Sequence, residues 1–118
     1  MKALEAKIRS RKARVAVIGL GYVGLPLAVG FAQKGFEVVG IDTDPKRIQQ
    51  IRRGRSYILV VRSEDLKACV KRRRMQATRS YQTIRKIDII SICVPTPLRK
   101  TKEPDLSFIV SALKGILP

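Results

Sequence analysis

The chain of 118 residues has no histidine, no tryptophan, only two cysteines, and nine acidic residues against 25 lysines and arginines. Without histidine it lacks the commonest general base and the usual zinc ligand, so we predict neither a self-sufficient hydrolase nor a metal site. Cys69 and Cys93 form no CxxC pair and no disulfide framework, which favours a reducing, cytoplasmic compartment. At 118 residues the chain fits one domain, and 45% hydrophobic residues suffice for a core. Because aromatic residues are scarce, we predict that this core is aliphatic.

The shortage of acidic residues leaves a formal net charge of +16, which attracts polyanions. Between Lys46 and Lys86 there are 14 basic residues, with Glu64 and Asp65 as the only acids. A nucleic-acid-binding or interaction module is therefore the alternative function. Few aromatic residues are interleaved with these charges, and neither an RNP motif nor zinc-finger spacing is present. The pattern favours a solvated basic surface over a nucleic-acid partner.

The amino-terminal segment is charged, and the segment after it is not. Residues 1–13 are predicted to form a basic leader helix, since Leu4 and Ile8 share one helical stripe. From Val15 to Gln33, 19 residues carry no charge, a length that also suits a membrane span or a signal peptide. Because glycines and Pro26 interrupt this stretch, we expect no association with a membrane.

Apolar runs alternate with helical patterns along the rest of the chain. Strands are predicted at "RVAVIG", "FEVVGID", "MQAT" and "IDIISICV". All but "MQAT" are expected to be buried, and the first is typical of a strand buried on both faces. Helices are predicted from Tyr22 to Lys34, from Asp44 to about Arg53, from Ser63 to about Arg74 and from Asp105 to the chain end, with Asp44, Ser63 and Asp105 as N-caps. This order predicts an α/β fold, a Rossmann-like doubly wound parallel sheet. We expect it to be truncated after the fourth strand and the following helix.

Three glycines with the spacing GxGxxG lie between the first strand and the first long helix. Gly19 permits a tight turn, Gly21 lets the backbone approach a pyrophosphate, and Gly24 lets the helix lie close to the strand. The amino end of the helix then offers free N–H groups to phosphates. The pattern predicts a dinucleotide site.

An acidic residue, Asp42, ends the second strand at the distance from the glycines that the dinucleotide fingerprint requires. Its carboxylate can accept hydrogen bonds from an adenosine ribose and would repel a 2′-phosphate. This favours NAD over NADP as the cofactor, although the nearby Lys46 and Arg47 leave NADP open.

Two long motifs narrow the interpretation. "VIGLGYVGLPLAVGFAQKGFEVVGIDTDPKRI" and "ICVPTPLRKTKEPDLSFI" closely resemble the amino-terminal domain of the UDP-glucose/GDP-mannose dehydrogenase family. The segments "SRKARVAVIGLGYVGLPLA" and "GRSYI" are most similar to the branch that oxidises UDP-N-acetyl-glucosamine or UDP-N-acetyl-mannosamine. The resemblance implies that residues 14–118 form a partial NAD-binding Rossmann domain of an enzyme of polysaccharide biosynthesis.

The resemblance also implies which residues bind the cofactor. By position these are the loop residues Gly19, Leu20, Gly21, Tyr22, Val23 and Gly24, the ribose-binding Asp42, Arg47 near the adenosine, and Val94, Pro95 and Thr96 towards the nicotinamide. The catalytic cysteine and lysine of the family correspond to no residue here, and Cys93 is not that cysteine. We therefore expect NAD binding without turnover, and a UDP-sugar substrate only if the rest of the enzyme is supplied.

Two stretches depart from the family pattern. After "SYI" the chain has Leu59–Val61 where acidic residues are usual, and it has "KRRR" (71–74) where relatives carry few charges. The fit of this region to a substrate or partner domain is therefore in doubt, and a degenerate Rossmann scaffold serving another function stays open. A truncated sheet would also expose its fourth strand, which predicts association of copies through that edge.

Overall fold

A computed structural model describes residues 2–117, and its elements follow the predicted alternation of strands and helices. In chain order they are α1 (Lys2–Arg9), β1 (Arg14–Ile18), α2 (Gly24–Gln33), β2 (Glu37–Ile41), α3 (Pro45–Arg52), α4 (Ser63–Lys71), β3 (Met75–Thr78), a 3₁₀ turn (Gln82–Lys86), β4 (Ile89–Ile92) and α5 (Ser107–Ile116). The four predicted strands are all present, and the 3₁₀ turn before β4 was not predicted.

The four strands form one parallel sheet in the order β3-β2-β1-β4. Ala16 in the central strand lies opposite Val39 on one side and Ile90 on the other. This order is that of the first half of a doubly wound dinucleotide-binding sheet, which confirms the predicted fold class. Because all strands run the same way, their carboxyl ends meet at one edge, and the loops that follow β1, β2 and β4 converge there.

Apolar side chains cover both faces of the sheet. On one face Val15, Val17 and Val38 pack with residues of α2, α3 and α4, and these three valines have no exposed surface. On the other face Ile18 and Ile41 pack against α5. Each fully buried aliphatic side chain of this size stabilises the fold by about 1.5–3 kcal/mol, so the aliphatic core compensates for the scarcity of aromatics.

The beginning of α3 was predicted correctly. Asp44 is its N-cap, the carboxylate accepts a hydrogen bond from the Lys46 N–H at 2.8 Å, and Pro45 is the first helical residue. Proline suits this position because its missing N–H would have no partner within the helix.

The predicted N-cap of α4 is wrong. Ser63 is the first residue of that helix, and its hydroxyl accepts a hydrogen bond from the Ser56 N–H at 3.0 Å. The hydroxyl is therefore used to close the preceding loop, and Arg62 occupies the cap position. At α5, Asp105 accepts the N–H of Ser107 at 2.9 Å, so it serves the first helical residue from one position before the assigned cap.

The fourth strand is less buried than predicted. It pairs with β1 on one side, and within residues 2–117 no strand pairs with its other side. Ile90 in this edge strand is 36% exposed. The apolar composition predicted a buried strand, while the expected truncation predicted an open edge. Within residues 2–117 the strand lies at the edge of the sheet, and its residues are only partly buried or exposed.

The residues that the structure describes contain neither a membrane-spanning helix nor a metal-binding cluster. No helix between residues 2 and 117 has the length and apolar character needed to cross a bilayer. Over the same residues, no three cysteine, aspartate or glutamate side chains lie close enough together to hold a metal ion.

Candidate functional site

A cleft of about 620 Å³ lies at the carboxyl edge of the sheet, where the loops after β1, β2 and β4 converge. It brings together most of the predicted cofactor-binding residues, which are far apart in the sequence. Of these residues, Gly19, Gly21, Tyr22, Val23, Asp42, Arg47, Val94, Pro95 and Thr96 line it, whereas Leu20 and Gly24 do not.

Gly19 and Gly24 are required by packing within the protein. Gly19 has a φ of +92°, and a Cβ there would lie 2.6 Å from the carbonyl oxygen of Cys93. A Cβ on Gly24 would lie 1.6 Å from the carbonyl oxygen of Gly19. The positive φ of Gly19 is the tight turn predicted for the first position of the motif, and the missing side chain lets the loop approach the residue after β4. Gly24 lets the start of α2 lie close to the end of β1, as predicted for the third position.

The middle glycine of the motif is different. A Cβ on Gly21 would meet only the tip of the Arg47 side chain, with the nearest atom, Nη1, at 3.6 Å, an ordinary contact distance. The packing of the protein does not require a glycine at this position. Its bare face opens into the cleft, as a backbone that a ligand must approach closely would do.

The amino end of α2 offers hydrogen-bond donors to the same cleft. The intramolecular hydrogen bonds of residues 2–117 include none from the backbone N–H groups of Gly21, Tyr22 and Val23. No side chain caps this helix, and Tyr22 and Val23 are largely exposed. Free N–H groups together with the positive end of the helix dipole form an environment that binds anions.

Asp42 is buried and already holds much of the loop structure. Its Oδ2 accepts the Leu20 N–H at 2.8 Å and the Arg47 Nη1 at 3.2 Å, and its Oδ1 accepts the Asp44 N–H at 2.9 Å. A carboxylate has about four acceptor positions, so roughly one is left for a ligand. The predicted ribose contact would therefore use that position or displace Arg47.

The Arg47 side chain contacts the Asp42 carboxylate and lines the cleft. In addition to the bond with Asp42, its Nε is 4.0 Å from Oδ2 of Asp44. Its guanidinium carbon lies 5.6 Å from the ring centroid of Tyr57, which is a cation–π distance. Three contacts thus hold the arginine beside Gly21, at the place where the resemblance predicts the adenosine.

Tyr57 is a residue of this site that the sequence reasoning missed. Its hydroxyl donates a hydrogen bond to the carbonyl oxygen of Leu20. Burial, reinforced by the nearby Asp42 and Asp44 carboxylates and opposed by Arg47, raises the pKa of Tyr57 well above its ordinary value. Tyr57 belongs to the segment "GRSYI", which in the sequence indicated only the branch of the family and not a role in the site.

Leu20 contributes through its backbone and its core contacts. Its side chain is fully buried and lies against Gly40 in β2, where an added Cβ would be 2.9 Å from both methyl groups of Leu20. Its N–H donates to Asp42 and its carbonyl accepts from Tyr57. A direct contact between the Leu20 side chain and a ligand in the cleft would need a different side-chain position.

Residues outside the predicted set also line the cleft. They include Tyr81, and Phe108, Ser111 and Ala112 on α5. The sequence pattern of α5 is that of an apolar helix, and it contains no signal of a binding role. Cys93 also lines the cleft, with its Cβ 3.3 Å from the position of an added Cβ on Gly24 and its Sγ 3.5 Å from Ser91 Oγ.

Residues 13–118 match the family profile described as the UDP-glucose/GDP-mannose dehydrogenase family, NAD binding domain. The chain belongs to this family. As its NAD-binding domain, the chain has NAD as its cofactor. The resemblance seen in the sequence motifs is thereby confirmed.

Curated relatives and solved structures agree with this assignment. UDP-N-acetyl-D-glucosamine 6-dehydrogenase of Pseudomonas aeruginosa is 41% identical over 103 residues, which cover 87% of this chain and 24% of the relative. UDP-N-acetyl-D-mannosamine dehydrogenase of Methanococcus maripaludis is 40% identical over 110 residues, covering 89% of this chain and 25% of the relative. A structure of a ternary complex of GDP-mannose dehydrogenase from Pseudomonas aeruginosa aligns with a TM-score of 0.82 at 31% identity, covering 87% of this chain and 24% of the other. This NAD-binding domain therefore spans about a quarter of the length of these relatives.

The cleft of this dehydrogenase-family domain fits a dinucleotide on structural grounds. It provides a bare glycine face at Gly21 and three free N–H groups, the features that a pyrophosphate requires. The buried carboxylate of Asp42 and the loop residues Val94–Thr96 line the same cleft.

Proposed function

We propose that this chain binds NAD in the cleft at the carboxyl edge of the sheet, with the pyrophosphate at the amino end of α2. The N–H groups of Gly21, Tyr22 and Val23 would donate hydrogen bonds to the phosphate oxygens. The observation that carries the proposal is that these three groups have no partner within residues 2–117 and open into a cleft of sufficient volume. When bound, NAD supplies a hydride acceptor.

Charge supports the proposed orientation of the cofactor. Asp42 and Arg47 lie together on one side of Gly21, where the adenosine ribose would bind, and Val94–Thr96 would extend along the cofactor towards the nicotinamide. The buried Asp42 carboxylate disfavours a 2′-phosphate, so NAD is expected to bind more tightly than NADP. The nearby Lys46 is exposed and makes no ion pair within residues 2–117, which leaves it able to weaken that preference.

A calorimetric titration with two matched glycine variants tests this proposal. Gly21→Ala adds one methyl group that the protein accommodates beside Arg47, at the lining of the cleft, where it would hinder the close approach of a ligand to the backbone. We expect it to weaken NAD binding by about tenfold or more, the effect of displacing well-placed hydrogen bonds to a charged group. Gly30→Ala on α2 adds the same group in open space, and NAD affinity should be unchanged.

The outcome of the pair is decisive for the site. Equal NAD affinity in the two variants, with both correctly folded, would contradict binding at the amino end of α2. Repeating the titration with NADP tests the assignment of Asp42, and tighter binding of NADP than of NAD would overturn it.

We further propose that the chain forms the cofactor half of an enzyme that oxidises the C6 alcohol of a UDP-N-acetylhexosamine, and that alone it binds NAD without turnover. Relatives named for UDP-N-acetyl-glucosamine and UDP-N-acetyl-mannosamine support the substrate class. No lysine lines the cleft within the described residues, and Cys93 lies against the loop next to Ser91. The purified chain supplied with NAD and either UDP-sugar should produce no NADH, and steady NADH production would disprove this part of the proposal.

A second candidate function rests on the opposite edge of the sheet. Exposed cations that precede the amino ends of β1, β2, β3 and β4 and make no ion pair within residues 2–117 include Arg11, Lys12, Lys34, Arg72, Arg73, Arg74 and Lys86. The acids at this edge, Glu37 and Asp88, are paired with Arg14 and Lys7. Such a surface suits a nucleic-acid backbone without sequence preference.

Salt dependence separates the two candidates. Binding of labelled duplex DNA should fall steeply with salt if this edge is used, and replacing residues 72–74 with serine should reduce that slope. A matched triple substitution of Arg99, Lys100 and Lys102, beyond the carboxyl end of β4, should leave it unchanged. Equal effects of the two triple variants would show only general attraction to the basic protein.

Two further proposals concern the state of the chain. We propose that copies associate through the open edge of β4, where Ile90 is partly exposed, and that Ile90→Lys would shift the sedimentation coefficient towards the monomer. An unchanged oligomeric state in that variant would exclude this edge.

We also propose the cytoplasm as the compartment of this chain, which the two free thiols of Cys69 and Cys93 support.

A further inference from the structure

The peptide group between Leu20 and Gly21 lies at the centre of the glycine loop and is held from one side only. Its carbonyl oxygen accepts the hydroxyl of Tyr57. Its N–H, on Gly21, has no partner within residues 2–117. The peptide bonds of the described residues are all trans, and in a planar trans peptide the carbonyl and the N–H point in opposite directions. The direction of the Leu20 carbonyl, to which Tyr57 is bonded, is therefore linked to the direction of the Gly21 N–H.

The residues on either side of this peptide leave rotation of the peptide plane as its main possible motion. Leu20 is anchored by its fully buried side chain and by the bond from its N–H to Asp42 at 2.8 Å. Gly21 is not anchored by packing, since an added Cβ would meet only the tip of Arg47. A glycine also accommodates the rotated peptide at little steric cost. Without a bond to the Leu20 carbonyl, the peptide could turn its N–H away from the cleft.

Tyr57 is itself well placed to supply that bond. The side chain packs against the main core cluster, and the next residue, Ile58, is buried and is tied to Ser56 through its N–H. The Arg47 guanidinium lies over the ring. The hydroxyl is protonated and able to donate at physiological pH, as for any tyrosine, and burial raises the pKa of Tyr57 further. Tyr57 does not line the cleft, so it acts from behind the loop.

We propose that Tyr57 is a positioning residue of the cofactor site, whose bond to the Leu20 carbonyl aims the Gly21 N–H into the cleft. The proposal rests on the proposed binding of a dinucleotide pyrophosphate at this loop. The residue touches the loop and not the ligand, so its effect is on the geometry of a donor.

Tyr57→Phe is the appropriate variant, since it keeps the ring beneath Arg47 and removes only the hydroxyl. In the ¹⁵N–¹H spectrum of the chain without nucleotide, the cross-peak of Gly21 should shift or broaden, while that of Gly115 at the end of α5 stays in place. NAD binding should weaken by about fivefold, the effect of one lost hydrogen bond. Ile58→Val, a small loss of core packing in the same segment, serves as the control and should change neither the Gly21 signal nor the affinity.

The two readouts distinguish the possible failures. An unchanged Gly21 cross-peak in Tyr57→Phe would overturn the positioning role whatever the affinity. A changed cross-peak with unchanged NAD affinity would also overturn it, because the aimed N–H would then be irrelevant to the ligand. If the unsubstituted chain binds no NAD, the proposed function fails, and the unliganded spectrum still tests whether Tyr57 orients the peptide.

Discussion

Replacing Asp42 with alanine should destabilise the fold even in the absence of any cofactor. The side chain is buried and accepts hydrogen bonds from two backbone N–H groups, those of Leu20 and Asp44, and from Arg47. Alanine removes all three acceptors. The Leu20 N–H is then left in a buried position without a partner, which is the costly part of the change.

A hydrogen bond to a charged group contributes about 1.5–3 kcal/mol, and two such bonds come from the backbone. The Arg47 contact adds little, since the arginine side chain is 41% exposed and solvent screens the pair. Removing a carboxylate from a buried position offsets part of the loss. We therefore expect the free energy of unfolding to fall by about 3 kcal/mol, which domains of this size commonly tolerate.

Asp44→Ala provides the matched comparison. This nearby aspartate is about half exposed, caps α3 through one bond to the Lys46 N–H, and makes a screened ion pair with Arg47, so its loss should cost about 1 kcal/mol. Equilibrium unfolding in urea, followed by circular dichroism, measures both variants. The reasoning would be refuted if Asp42→Ala cost no more than Asp44→Ala.

The other predictions concern packing and charge. Gly24→Ala should lower the free energy of unfolding by about 3 kcal/mol or more, because the added Cβ would lie 1.6 Å from the Gly19 carbonyl oxygen. A melting temperature equal to that of the unsubstituted chain would contradict this prediction. Thr83→Val should stabilise the fold by about 1 kcal/mol in urea unfolding, since the buried hydroxyl has no hydrogen-bond partner; a loss of stability would show that the hydroxyl is satisfied. The pKa of Asp88 is lowered by the Arg14 N–H and then by Lys7, so its stabilisation is present above its ordinary pKa of 3.8 and is lost as the pH falls through the lower folded value. The stability difference between the unsubstituted chain and Asp88→Asn should therefore narrow on acidification through that range, and a constant difference would refute the assignment.

The fold and the glycine loop could be predicted because local pattern and tertiary structure agree there. Short β-branched runs alternate with helical segments, and only a parallel sheet with helical crossovers satisfies that order. The tight contacts at Gly19 and Gly24 are likewise encoded as glycines at a fixed spacing. The N-cap at Asp44 followed from a single dipeptide, Asp44-Pro45, whose two residues both favour the start of a helix.

Other parts of the site depend on contacts between distant segments, which no local pattern reports. Tyr57 reaches Leu20 across 37 positions in the sequence, and nothing in its own segment, "GRSYI", indicates that contact. The hydrogen bonds from the Leu20 and Asp44 N–H groups to Asp42 could not be predicted either, because the sequence does not indicate which groups a carboxylate will bind. Ser63 was assigned to the wrong role for the same reason, since the Ser56 N–H competes for its hydroxyl.

The most direct test of the central claim is to follow the backbone ¹⁵N–¹H spectrum while NAD is added to the chain. If NAD binds in the cleft, the largest changes will fall on Gly21, Tyr22 and Val23, with further changes at Val94 and Thr96, and the signals of residues 71–74 at the opposite edge will stay in place. Changes concentrated at residues 71–74, or no saturable change in a folded chain, would contradict the account.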